Sequence, residues 1–238
     1  MKKMIMWCVL LWSSQVCLAL EPYVQGDKLA GADLSAQLAQ IEKKLQAEGF
    51  TVIGRHTPKG LPGYASLVIT DPDMLTAIRT IGGSAIVASG IRVGLQNDGT
   101  LTYMNPDYWY RAYLRGQYKV AQAAAKSVQM RLAKALGEGK AFGGDVPEAD
   151  LANYRYMIGM ERFDSANSEL STHASFEEAL KAVQGNLSKG TGTTSRVYEV
   201  VMPNSKIAVF GVAMNDPGDG EGRMTRAPSH RRGPASTR

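Results

Sequence analysis

Five of the ten tyrosines fall in residues 103–118, and Trp109 stands among them. Arg111, Arg115, Lys119 and Lys126 lie on a neighbouring helical face. Rings of this kind line apolar pockets, and a cation at the rim attracts an anion or stacks on a ring. Tyr103, Tyr108, Trp109, Arg111 and Arg115 are therefore the candidate ligand-binding residues, for a small anionic or amphiphilic molecule such as a lipid headgroup. The competing account, and the commoner arrangement in proteins at large, is an aromatic stripe turned to the core beside a solvated basic face.

Met157 and Met160 stand i, i+3, which on a helix would place both thioethers on one face. Thioethers are soft ligands for Cu(I). His173 is the imidazole that would join them as candidate metal ligands, and His56 is a further one. Methionine more often fills gaps in a core. No Cys-x-x-Cys-His step is present, which excludes covalent haem. No Gly-x-Ser-x-Gly elbow is present either, and His56, His173 and His230 are scattered. Gly185 and Gly190 have the first spacing of a phosphate loop, but Thr191-Gly192 follows where Lys-Ser/Thr is required. Asp216, Asp219 and Glu221 do not fit calcium-loop spacing. Asp71 and Asp73 read as helix-start residues. The expected function is that of a binding or accessory protein without a catalytic site. Copper handling through Met157, Met160 and His173 is the alternative, and a hydrolase without a motif is the third. The sequence identifies no cofactor, and the partner would be a small molecule or a protein.

These residues must be positioned by elements that the hydrophobic spacing defines. Leu34, Leu38, Ile41 and Leu45 line one face of a helix over 33–48, stopped by Gly49. Strands follow at 50–54 and 64–70. Asp71-Pro72 caps and opens a short helix that ends at Gly82-Gly83. Asn97-Asp98-Gly99 sits between apolar runs at 91–95 and 101–104, a hairpin signature. Asn105-Pro106 opens a long helix toward Leu136, with Gly116 as a point for a kink. Residues 137–147 read as a linker. Periodicity does not decide between strand and helix for 154–163. Ser175 and Glu178 start a helix with capping-box spacing, and 197–202 with 207–214 read as a second hairpin.

The ends of the chain carry its basic character. Lys2 and Lys3 precede a nine-residue apolar run at 4–12, and Cys17 and Ala19 stand at −3 and −1 of a signal-peptidase site. The run is too short to span a bilayer, which takes roughly 20 apolar residues. Export to the periplasm or medium is expected, with residues 1–19 removed and no stable membrane span left behind. Cys8 and Cys17 leave with that segment, so the mature chain has no disulfide. The tail 223–238 holds five arginines and no acid, and its Pro/Ser/Gly content predicts disorder. Residues 20–222 hold 20 Lys+Arg against all 22 Asp+Glu, a net −2. The overall +5 therefore gives no support for a nucleic-acid partner.

The order of elements repeats. A first α+β unit occupies 20–136 with its long C-terminal helix, and a second occupies 148–222. Each runs helix, strand, turn, strand, Asp-Pro, with Asp71-Pro72 in one and Asp216-Pro217 in the other. The second unit lacks the further strands of the first, so a truncation or frameshift near Asp219 is expected. Ala47-Glu48-Gly49-Phe50-Thr51-Val52 and Ser175-Phe176-Glu177-Glu178 resemble the domain-of-unknown-function 302 (DUF302) family. That family carries a helix ending in Glu-Gly-Phe-x-Val, and a Ser-Phe-Glu-Glu helix start. The resemblance covers parts of 34–110 and 171–214. It implies an α+β fold similar to the TATA-box-binding protein, with helices packed on one side of a curved antiparallel sheet, and it implies no reaction.

Overall fold

The computed structural model describes residues 19–31, 33–155, 162, 164–165, 169–218 and 220. All of the segment read as a signal except Ala19, the basic tail, Met157 and Met160 lie outside these residues, as does most of 154–163.

Helix α1 spans Leu34–Ala47 and is capped by Asp33, whose carboxylate accepts from the Ser35 amide at 3.0 Å. The predicted apolar stripe is the buried one, with Ile41 and Leu45 fully enclosed. Two short strands, β1 (Ala19–Leu20) and β2 (Tyr23–Gln25), precede this helix. Strands β3 (Thr51–His56) and β4 (Tyr64–Thr70) follow it. Asp71 caps α2 (Pro72–Ile81), and a 3-10 stretch from Gly83 to Ser89 leads into β5 (Ile91–Gln96) and β6 (Leu101–Met104).

The chain then builds α3 (Pro106–Leu114), α4 (Tyr118–Leu136), β7 (Ala141–Phe142) and β8 (Val146–Pro147). It finishes with α5 (Phe176–Lys189), β9 (Thr194–Met202) and β10 (Ile207–Met214). The fold is α+β, as the sequence predicts. One six-stranded sheet has the order β3-β4-β5-β6-β2-β7 with antiparallel neighbours throughout, and β9–β10 and β1–β8 form two-stranded pairs.

Strand alternation sorts the sheet into two faces. Leu67, Ile69, Val93, Leu95, Leu101 and Tyr103 are buried on one face and share a single core with Ile41 and Leu45 of α1 and Val128 and Leu132 of α4. The opposite face carries the cross-strand row His56, Ser66, Gly94 and Thr102. Part of that face is covered by the β9–β10 hairpin. Val200 and Ile207 pack onto the core, and the Tyr198 side chain lies among three glycines. A β-carbon on Gly54 would stand 3.0 Å from Tyr198 Cβ, one on Gly90 would stand 3.5 Å from its Cζ, and one on Gly211 only 2.0 Å from its Cε1. At Gly211 only hydrogen lets the ring in, and at Gly90 the contact is an ordinary one. The hairpin's other face is met by α5, with Gln184 donating to Glu199 at 2.6 Å.

Two sequence expectations change. The long helix from 105 to 136 is two helices, because Arg115 leaves the helical region (φ 51°, ψ −130°) and a 3-10 turn spans Arg115–Gln117. The stripe survives the break: Tyr110, Leu114, Tyr118, Ala121, Ala125, Val128, Leu132 and Leu136 are all buried. The 137–147 linker supplies β7 and β8, and β7 pairs with β2 as the outer strand of the main sheet. No helix among the described residues is long and apolar enough to cross a membrane.

Candidate functional site

The N-terminal strand fixes the start of α3. Asn105 caps it by accepting from the Asp107 amide at 3.2 Å, and its Nδ2 donates to the Glu21 carbonyl at 2.8 Å. One helical turn on, Trp109 Nε1 donates to the Pro22 carbonyl at 2.8 Å. The indole is only 6% exposed. Four rings surround it: Tyr108 at 5.2 Å, Tyr113 at 5.3 Å, Tyr154 at 5.5 Å and Tyr23 at 6.2 Å between centroids. Phe142 extends the cluster through Tyr23. Edge-on and tilted geometries of this kind add to simple burial. Burial raises the Tyr108 and Tyr113 phenols to about 12, with neighbouring phenols adding to the shift.

The five candidate ligand residues therefore separate. Tyr108 and Trp109 form the buried centre of this cluster. Tyr103 lies on the helix-covered face of the sheet, and its hydroxyl donates to the Gly137 carbonyl at 2.9 Å. Arg111 is held by two carboxylates, Asp107 at 2.9 Å and Glu148 at 2.7 Å, and its guanidinium lies 4.3 Å from the Tyr118 ring centre. The Tyr118 hydroxyl donates to the same Asp107 at 2.7 Å. Its phenol is raised by burial and by that carboxylate.

Arg115 behaves differently. It occupies a positive-φ conformation that a side-chain-bearing residue holds at a cost of about 1–3 kcal/mol. Its side chain is 11% exposed and pairs with Asp164 at 3.2 Å. It also donates to the carbonyl oxygens of Ala152 at 3.3 Å and Tyr154 at 3.5 Å. Asp164 in turn receives both Nε and Nη2 of Arg162, at 3.2 and 3.3 Å. Arg162, with Arg115 adding to it, holds the Asp164 carboxyl below its ordinary range. Arg155, Arg162, Asp164 and Ser165 line a cavity of about 250 Å³ beside this cluster. The sequence reading missed these four residues. Their signal was two arginines flanking a segment whose periodicity was ambiguous.

His173 is exposed on the approach to α5, with Nε2 3.4 Å from the Ser171 hydroxyl. His56 lies on β3, in the polar row of the sheet. Among the described residues no group of three or more His, Cys, Asp or Glu side chains is arranged to hold a metal ion. Gly185 lies inside α5 and Gly190 caps its end, so that run joins a helix to a strand. Asp71 is the buried cap of α2, and Asp216 accepts from the Gly218 amide in an exposed turn.

No protein-family model matches the chain, and no curated protein matches it in sequence. Among solved structures, the chain is similar to the uncharacterized conserved protein DUF302 from Bacillus stearothermophilus. The two share 18% identity at a TM-score of 0.35, over 48% of this chain and 94% of that one.

Proposed function

We propose that this is an exported binding or accessory protein that takes a small anionic or amphiphilic ligand at the C-terminal end of α3. The observation that supports the reading is the position of Tyr154. Its ring lies 5.5 Å from Trp109, and its carbonyl oxygen accepts from Arg115 at 3.5 Å. A ring cluster and a guanidinium group are thus joined through one residue, an arrangement that suits a ligand with an apolar body and a charged head. With residues 1–19 removed, Trp109 is the sole tryptophan, so its emission reads this place alone. Titration with lauryl phosphate below its micelle concentration is expected to give a saturable change in Trp109 emission. Arg115→Lys should weaken it about tenfold, because the planar fork is lost. A flat titration of folded protein refutes the reading.

Export accords with the way the folded body begins. Among the described residues, Glu21 and Pro22 are the first whose carbonyls accept long-range side-chain hydrogen bonds, from Asn105 and Trp109. Mass measurement of the protein expressed from its full sequence should place the mature N-terminus at Leu20. A mature product that still carries residues 1–19 contradicts it.

A further inference from the structure

We infer that the notch at Gly94, on the sheet face opposite the main core, binds a small polyhydroxylated carboxylate, a sugar acid whose carboxylate meets Arg92.

Gly94 itself comes first. Glycine inside a strand weakens it, and it marks a bulge, a close approach of other backbone, or a ligand. Its φ is not positive, so the conformation does not call for glycine. The ladder runs through it without a register shift, from Ser66 on one side to Thr102 on the other. Gly54, Gly90 and Gly211 are met by the Tyr198 side chain, but Gly94 is not. Among the described residues, a β-carbon at Gly94 would meet only Thr102, at 3.2 Å from its Oγ1. The missing side chain therefore leaves a notch between two hydroxyls, with no bulge and no docked segment to account for it.

The chemistry around the notch comes second. Neither the Ser66 nor the Thr102 hydroxyl makes a hydrogen bond among the described residues, and both side chains are half-buried. Arg92 is exposed on the same face of the same strand, roughly 7 Å back along it, within the length of its own side chain. Burial raises the Tyr113 and Tyr198 phenols, and the Arg92 charge pulls both back. The guanidinium thus stands between the α3 ring cluster and the β9–β10 hairpin. On the other side of the notch Tyr64 pairs with Gln96, and the Tyr64 ring is 45% exposed.

These groups divide by the chemistry they suit. The guanidinium fork takes a carboxylate. Two hydroxyls and an amide both donate and accept, which matches alcohol groups. The exposed ring offers an apolar surface to the carbon face of a sugar. Apart from His56, the other side chains in the rows of Arg92 and Gly94 are uncharged. A single negative charge on a hydroxyl-rich body complements that pattern.

The site lies on β4–β6, away from Arg115, and it stands or falls apart from the ligand proposed at α3. Glucuronate is titrated into isotope-labelled protein and followed by amide chemical shifts, with glucose and acetate as references. Saturable shifts in the millimolar range are expected at Ser66, Gly94 and Thr102. Arg92→Gln should weaken binding about tenfold by removing the charged donor. Gly94→Ala fills the notch and should weaken it severalfold with an unchanged urea midpoint, whereas a purely structural glycine would lower the midpoint and leave binding alone. Arg115→Lys should leave it unchanged. Absence of shifts at these amides, or full affinity in Gly94→Ala, overturns the inference. Glucose binding as tightly as glucuronate removes the role given to Arg92, and acetate binding as tightly removes the sugar; either result overturns the assignment to a sugar acid.

Discussion

Arg131 ties together three stretches of chain that are far apart in sequence. It sits on α4, and its Nη2 donates to Asp71 at 2.6 Å while Nη1 donates to the Glu48 carbonyl at 2.9 Å. Its guanidinium lies 4.7 Å from the centre of the Phe50 ring. Asp71 uses its other oxygen to cap α2 through the Met74 amide at 2.9 Å, and it is only 3% exposed. The Glu48-Gly49-Phe50 step and the Asp71-Pro72 step, both visible in the sequence, therefore converge on one side chain. Their role is structural: they lock α1, α2 and α4 around the end of the sheet. Removing one partner of a buried pair leaves the other charge uncompensated. Arg131→Met should lower the unfolding free energy in urea by about 3 kcal/mol. A change under about 1 kcal/mol would show that the pair is dispensable.

At the level of elements, the β9–β10 hairpin is held on the main sheet by the Tyr198 slot. A methyl group at Gly211 would stand 2.0 Å from the Tyr198 ring, so the ring must leave or the strand must shift. Gly211→Ala is expected to cost about 1–3 kcal/mol as overpacking does, and to open the hairpin to trypsin at Arg196 and Lys206. Cleavage no faster than in the parent protein would mean the slot does not dock the hairpin. None of this docking was legible beforehand. The helices and most strands were: Leu34, Leu38, Ile41 and Leu45 repeat at the helical period, Asp71 and Ser175 cap as expected, and β4 has the predicted limits. Such signals are local. The place of the α3–α4 break was marked by Gly116, but nothing in the spacing shows that Arg115, ahead of it, takes the positive φ. Strand β2 was missed because three residues hold no periodicity. The aromatic cluster was half legible. The ring-rich run was visible, but Trp109's partners Tyr23 and Tyr154 are distant in the chain, and only the fold shows that they surround the indole.

For the whole molecule, the buried phenols set the response to alkali. Burial raises Tyr103, Tyr108 and Tyr113 to about 12, and pushes Tyr110 and Tyr118 up further, with Asp71 and Asp107 respectively adding to the effect. Exposed phenols in an unfolded chain ionise near 10. Between about 10 and 12 the native state thus keeps protons that the unfolded state releases, and stability must fall as pH rises through that interval. It is fully present below about 10. Absorbance of tyrosinate should show these groups titrating together with the loss of the far-ultraviolet circular dichroism signal. Ionisation of all tyrosines near pH 10 with an intact spectrum contradicts this. The sheet order has a consequence for how the chain reaches its final state. Strands β3 to β6 are neighbours in sequence and form a meander without help. Residues 23–25, made before any of them, pair with 102–104 on one side and with 141–142 on the other. The first of the six strands to be synthesised is therefore closed on both sides only after the last. Until residue 142 is present, the outer edge of β2 stands open and the indole bonded to the Pro22 carbonyl has no finished sheet behind it. Such distant pairings slow folding. A chain threaded through a membrane N-terminus first would, by this topology alone, emerge before it can lock.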